Sequence, residues 1–159
     1  DSVSFPQKQF SEKMLTENLY KKWYASYSAD ENDPVEISEY YKNYKAGDFA
    51  KVLSAAKADY QLMGTGDRNK LIESYMQFYK GLAFLAENKP KDAIQKFDEV
   101  LRSVSKNEPQ YYDAQWYTTL AYLKNNELNK AVALAREITI SSSKYKVKAS
   151  QLLNELNGS

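Results

Sequence analysis

Three features of this 159-residue chain could carry chemistry: a glycine-bearing segment, a cluster of carboxylates and an abundance of tyrosine. Gly64-Thr65-Gly66-Asp67-Arg68-Asn69 begins as a phosphate cradle does, where glycines let backbone N–H groups close on an anion. It has no third glycine and no Gly-Lys-Ser/Thr ending, and no strand leads into it, so an accessible loop is expected. Asp30, Glu31 and Asp33 could gather around a calcium ion. The pattern lacks a mid-loop glycine, and Tyr41 stands where an EF-hand loop counted from Asp30 would have its bidentate glutamate, so a solvated linker is expected instead. Asp92, Asp98 and Glu99 fall among lysines on helical faces, where surface pairing accounts for them.

Two absences narrow the chemistry further. The sequence has no cysteine and no histidine. That excludes disulfides, thiolate nucleophiles, cysteine-based metal sites, Ser-His-Asp triads and histidine-ligated metals. An enzyme built on this chain would have to move protons with carboxylates, lysine or tyrosine. No such pair stands out, and a non-catalytic protein without cofactor or metal is expected. With 22 basic residues against 21 acidic ones the net charge is +1. Only Arg68, Arg102 and Arg136 could grip phosphate bidentately, so nucleic acid is not the expected partner. No apolar run approaches the roughly 20 residues of a membrane-spanning helix. The opening Asp1-Ser2-Val3-Ser4-Phe5-Pro6 carries neither an initiator Met nor an apolar signal core, which suggests an upstream secretory signal or anchor.

The elements that must position the tyrosines are helices. Apolar residues recur at helical spacing along nearly the whole chain. Phe10, Met14, Tyr20, Trp23, Tyr24 and Tyr27 predict a first helix over about 11–27. Asp33-Pro34 reads as an N-cap with proline at the first helical position, opening a short helix to about Lys45. Phe49, Val52, Leu53, Ala56 and Tyr60 form the stripe of the next. Further helices are predicted at roughly 69–87, 90–104, 109–125, 127–139 and 144–156.

The chain also resembles itself. At a shift of 38 residues, Phe78-Tyr79 falls on Trp116-Tyr117 and Leu82-Ala83-Phe84-Leu85 on Leu120-Ala121-Tyr122-Leu123. Asn88 falls on Asn126, Ala93-Ile94 on Ala131-Val132, and Val100 on Ile138. At a shift of 41, Tyr44, Gly47, Val52 and Leu53 match Leu85, Asn88, Ala93 and Ile94. An aromatic pair, a small residue, an aromatic, a turn and a helix opening on alanine resemble the tetratricopeptide repeat over about residues 34–139. The spacing departs from that family's usual period of about 34, and the Leu-Gly or Leu-Ala step of its first helix is Lys80-Gly81 in one copy and Thr118-Thr119 in the other. The region Leu19 to Phe49 resembles the leading part of bacterial envelope proteins that tether such repeats to a membrane.

The resemblance implies an all-α fold of antiparallel helix pairs stacked as a right-handed superhelix. About three repeats would follow an N-terminal helix and acidic linker (residues 1–33). The repeat domain would span 34–159, closed by a capping helix over 144–156. The first helix of each pair would line a concave groove, placing Tyr41, Tyr44, Lys45, Tyr75, Tyr79, Asp113, Trp116, Tyr117 and Lys124 on or near it. The expected function is a protein-interaction scaffold that binds a peptide or partner protein there, since tyrosine and tryptophan offer large contact area with a polar tip. Such a scaffold would sit in the bacterial cell envelope on the periplasmic side, with a cytoplasmic home as the alternative. Stacked tyrosines would also suit a carbohydrate, and residues 1–33 could themselves dock in the groove. On this reading Tyr79→Ala with Tyr117→Ala should weaken a partner by about 2 kcal/mol or more and leave the fold intact.

Overall fold

A computed structural model describes residues 5–30, 33–55 and 66–157, the first six by backbone alone. The described residues are all-helical: α1 (Phe5–Trp23), a 3-10 turn (Val35–Ile37), α2 (Ser38–Lys45), α3 (Phe49–Ser54), α4 (Gly66–Ala86), α5 (Pro90–Ser103), α6 (Pro109–Lys124), α7 (Leu128–Thr139) and α8 (Lys146–Asn157). Each helix from α2 to α8 packs on its neighbour in sequence, the pattern of a helical repeat array. The first helix breaks that rule by lying across α6.

The self-similarity of the sequence is repeated in backbone geometry. Gly47, Asn88 and Asn126 have φ of 78°, 63° and 59°, the left-handed conformation that glycine and asparagine adopt at least cost. They are the residues matched at shifts of 41 and 38. At each, the same two hydrogen bonds close the preceding helix. Asp48, Lys89 and Glu127 donate their N–H to the carbonyls of Asn43, Phe84 and Tyr122 at 2.9, 2.8 and 2.8 Å. Gly47, Asn88 and Asn126 donate to Tyr44, Leu85 and Leu123 at 3.0, 3.0 and 3.1 Å. This is the Schellman motif, used three times to fold one helix back on the next.

The second helix of each pair buries a narrow stripe. Ala93, Phe97 and Val100 of α5 are fully buried, as are Ala131, Ala135 and Ile138 of α7, the same positions 38 residues on. Alanine opens both stripes, so the paired helices approach closely there. Ala93→Leu is expected to overpack that contact and cost about 1–3 kcal/mol, read as a lower urea midpoint at an unchanged m-value. The central helix α6 is buried on nearly every side, because α5, α7 and α1 all cover it. Helix α8, with Tyr145 just before it, ends the stack: Tyr145, Ala149 and Leu152 turn inward and Leu153 and Leu156 are half-buried.

Several boundaries differ from the sequence reading. Helix α1 stops at Trp23 rather than near residue 27, and residues 24–30 have no regular structure. Tertiary contacts described below hold that segment in place. Asp33 does not cap a helix: Pro34 takes φ −57° and ψ 137°, a 3-10 turn follows, and α2 begins only at Ser38. The Asp33 carboxylate is used elsewhere. Residues 66–69, expected as loop, form the first turn of α4, where the Arg68 guanidinium makes a two-pronged contact with Glu36 at 2.6 and 2.5 Å. Gly64, Thr65, Ala56, Tyr60 and Glu31 lie outside the described residues.

Candidate functional site

The tyrosines assigned to the first helices of the pairs are covered by the chain's own N-terminal segment. Leu19, Tyr20 and Tyr27 belong to the same buried cluster as the helices of the array. Tyr27 is the centre of the contact. Its ring meets Phe78 (4.9 Å between centroids), Tyr79 (5.8 Å) and Tyr117 (6.1 Å), each nearly edge to face. That geometry sets the positive edge of one ring against the negative face of the next. The residues around it are exposed: Ala25, Ser26, Ser28 and Asp30 face solvent.

Two tyrosine hydroxyls hold the segment's backbone. The Tyr117 hydroxyl donates to the Ala25 carbonyl at 2.7 Å, and the Tyr27 N–H donates to the Tyr44 hydroxyl at 3.2 Å. At the far tip, the hydroxyls of Tyr27 and Tyr75 donate to the two carboxylate oxygens of Asp33 at 3.2 and 3.1 Å. Burial, reinforced by the carboxylates Asp113 and Asp33, raises the Tyr27 phenol far above its ordinary pKa. Burial likewise raises the phenols of Tyr44, Tyr75, Tyr79 and Tyr117, so these groups stay protonated and able to donate.

Of the expected groove residues, Tyr44, Tyr79, Asp113, Trp116 and Tyr117 are buried, and Tyr41, Tyr75 and Lys124 are partly so. Lys45 alone among them is exposed. Trp116 is covered by Tyr145, stacked at 5.5 Å and 9°, and by the edge of Trp23 at 6.4 Å. Lys124 lies over the Tyr20 ring at 4.8 Å, a cation–π contact that helps seat α1. Thr16 on α1 bonds Asn126, and Lys22 pairs with Glu155 on α8. The sequence did not mark Tyr27 as a site residue. Its helical spacing with Tyr20 and Tyr24 disguised it as one more position on a first helix.

A cleft of about 400 Å³ remains open beside the segment, between Tyr24, Ser26 and Ser28 on one side and Tyr41, Lys45 and Phe49 on the other. Here burial works to raise the Tyr41 phenol, but hydrogen bonds from Lys45 and its neighbours prevail and hold it below its usual value. The Lys45 ammonium lies 3.4 Å from that hydroxyl.

Asp113 is the most deeply buried carboxylate named in the groove. It accepts from the Tyr145 hydroxyl at 2.6 Å and pairs with Lys144 at 3.1 Å. Desolvation outweighs both contacts and, with Asp33 nearby, leaves its pKa raised. The folded state therefore binds a proton more tightly than the unfolded chain does. From the ordinary carboxylate range up to the raised value, stability falls as pH rises. Asp113→Asn keeps an acceptor for Tyr145 and should flatten that dependence without loss of stability at pH 7, as thermal melts between pH 4 and 7 would show.

No protein-family model, curated protein or solved structure matches this chain. Its function must be argued from the groove.

Proposed function

We propose that the protein is a non-catalytic, tetratricopeptide-like scaffold that binds a peptide, or an extended segment of a partner protein, in its tyrosine-lined groove, and that it works in the bacterial cell envelope. The observation that carries this reading is residues 24–30 themselves: a stretch of chain without regular structure lies against the tyrosines, held by one buried side chain and two hydroxyls that bond its backbone. Backbone contacts of that kind accept many sequences, while the aromatic box selects among them. The near-neutral net charge and the lack of imidazole and thiol agree with a binding role. A sugar would need an open ring face, and Trp116 is stacked on Tyr145 and meets Trp23 at a right angle, so no feature of the groove favours carbohydrate over peptide.

Panning a random peptide library against the full chain tests this. Enriched peptides should bind saturably and cross-link to a photoreactive residue substituted at half-buried Tyr41, on the rim of the open cleft. They should not cross-link from Val147, exposed on α8. No enrichment above background, or cross-linking from 147 instead of 41, would overturn the reading.

A further inference from the structure

Resting on the reading of the groove as a peptide site, we propose that its ligand is an extended segment presenting a tyrosine to the box of Phe78, Tyr79 and Tyr117, and that residues 24–30 are an intramolecular copy of that ligand. The groove is thereby a competitive site, closed until a partner segment displaces the chain's own.

One side chain anchors the segment. Tyr27, at 4% exposure, is the one fully buried side chain of residues 24–30; Tyr24 and Ala29 are half-buried, and Ser26 and Ser28 are exposed, with side chains that hydrogen-bond the hydroxyls of Tyr44 and Tyr41. A piece of chain kept only for packing would bury an apolar stripe, as α5 and α7 do. A segment that buries one aromatic side chain fully and holds its neighbours only at the rim has the form of a peptide recognised through one anchor. Its backbone bonds point the same way. The carbonyl of Ala25 and the N–H of Tyr27 meet hydroxyls of α6 and α2, groups that would serve any extended chain with a tyrosine in the same place.

The aromatic walls of the receptor half do not depend on the segment. Phe78 and Tyr79 pack on each other at 6.0 Å, and Phe78 also meets Phe97 and Tyr117 at 5.8 and 6.0 Å. Asp33, which accepts the Tyr27 hydroxyl, exchanges two hydrogen bonds with Asp30 at the segment's end, but it is also held by Tyr75, and Pro34 and Ile37 are buried directly after it. An incoming tyrosine would therefore find both its aromatic walls and the carboxylate for its tip. Phenylalanine would leave that carboxylate without one of its two phenol donors, so tyrosine is the preferred anchor. Because residues 24–30 are tethered on both sides, they compete at an effective concentration of about millimolar. A partner must exceed that, which makes a tightly held or multiply attached protein segment a better ligand than a free short peptide.

The probe is a blocked, fluorescent heptapeptide with the sequence of residues 24–30, Tyr-Ala-Ser-Tyr-Ser-Ala-Asp, and a second peptide with alanine at its central tyrosine. The receptor is the full chain, as wild type and as Tyr27→Ala, which empties the box. Fluorescence anisotropy should show saturable binding of the tyrosine peptide to Tyr27→Ala, about tenfold or more weaker binding to the wild type, and loss of binding with the alanine peptide. Absence of binding to a folded Tyr27→Ala chain, or equal binding of both peptides, would overturn the proposal. Should Tyr27→Ala not fold, amide exchange of Tyr27 in the wild-type chain decides: millimolar tyrosine peptide should accelerate it and the alanine peptide should not, and an unchanged rate overturns the idea. If library peptides occupy the groove without any need for tyrosine, the scaffold reading survives and only this inference falls.

Discussion

Replacing Tyr79 and Tyr117 together by alanine is expected to unfold the protein. Both rings are buried, at 0% and 4% exposure, and both touch Tyr27 and Phe78 at the centre of the aromatic cluster. Truncating one large buried aromatic to alanine costs about 3–5 kcal/mol, through lost transfer energy and the cavity left behind. Two such losses, about 6–10 kcal/mol, consume most of the about 5–15 kcal/mol by which a domain is stable. The two rings share neighbours, so the costs need not add, but either single change should already lower the midpoint of a urea titration clearly. Circular dichroism of the double variant should show loss of the cooperative helical transition. A double variant that still melted cooperatively within about 2 kcal/mol of the parent would mean that the rings are not packed as described. The practical corollary corrects the expectation drawn from sequence. These two tyrosines cannot serve as binding variants that spare the fold, and rim residues such as Tyr41 and Lys45 must take that place.

Gly81→Ala should be costly for a different reason. A Cβ built on Gly81 would sit within 3.0 Å of three ring atoms of Phe97. Phe97 cannot swing aside, because it is fully buried between Phe78 at 5.8 Å and Tyr117 at 6.4 Å. Alanine gains about 1 kcal/mol over glycine in a helix interior, but forced overpacking costs about 1–3 kcal/mol or more. With a ring locked on all sides the second effect wins, and a net loss of about 2 kcal/mol is expected, a fall in Tm of roughly 4–8 °C. The next repeat solves the same problem in reverse. Thirty-eight residues on from Gly81 and Phe97 stand Thr119 and Ala135, both fully buried. Small against large in one pair becomes large against small in the other. Gly81→Thr with Phe97→Ala should therefore lose less stability than the two single changes summed, with a coupling of about 1–3 kcal/mol in a double-mutant cycle. Strict additivity would show that the two positions do not share the space.

That exchange explains why the repeat was legible while its departures looked like flaws. Helix positions followed from apolar spacing, and the turns followed from Gly47, Asn88 and Asn126, because local backbone geometry demands those residue types wherever a helix folds back on itself. Gly81 and Thr119 read as mismatches only because the compensating residues lie sixteen positions further on, in the partner helix. The groove was harder to read. Its tyrosines could be assigned to the first helices of the pairs, but their burial depends on a segment about fifty residues upstream of Tyr79, and no local pattern announces that contact. The end of α1 was missed for the same reason. Residues 24–27 have helical spacing, and what overrides it is the hydroxyl of Tyr117, 92 residues away, taking the Ala25 carbonyl. Asp33 looked like a cap because aspartate before proline usually is one, yet two phenols claim its oxygens.

The placement of α1 has a consequence for how this protein comes apart. In an open stack of helix pairs each unit touches only its neighbours, so the ends can fray while the middle stays folded. Here the first helix reaches the last, through Lys22 and Glu155, and grips the turn before α7 through Thr16 and Asn126. Contacts spanning 92 and 110 residues of chain close what would otherwise be a linear array. Folding must bring the two termini together before those contacts form, so it should be slower than for an open array of the same length. Once formed, they tie the outer helices to the centre: the molecule should melt as one unit, and opening the clasp should loosen both ends at once.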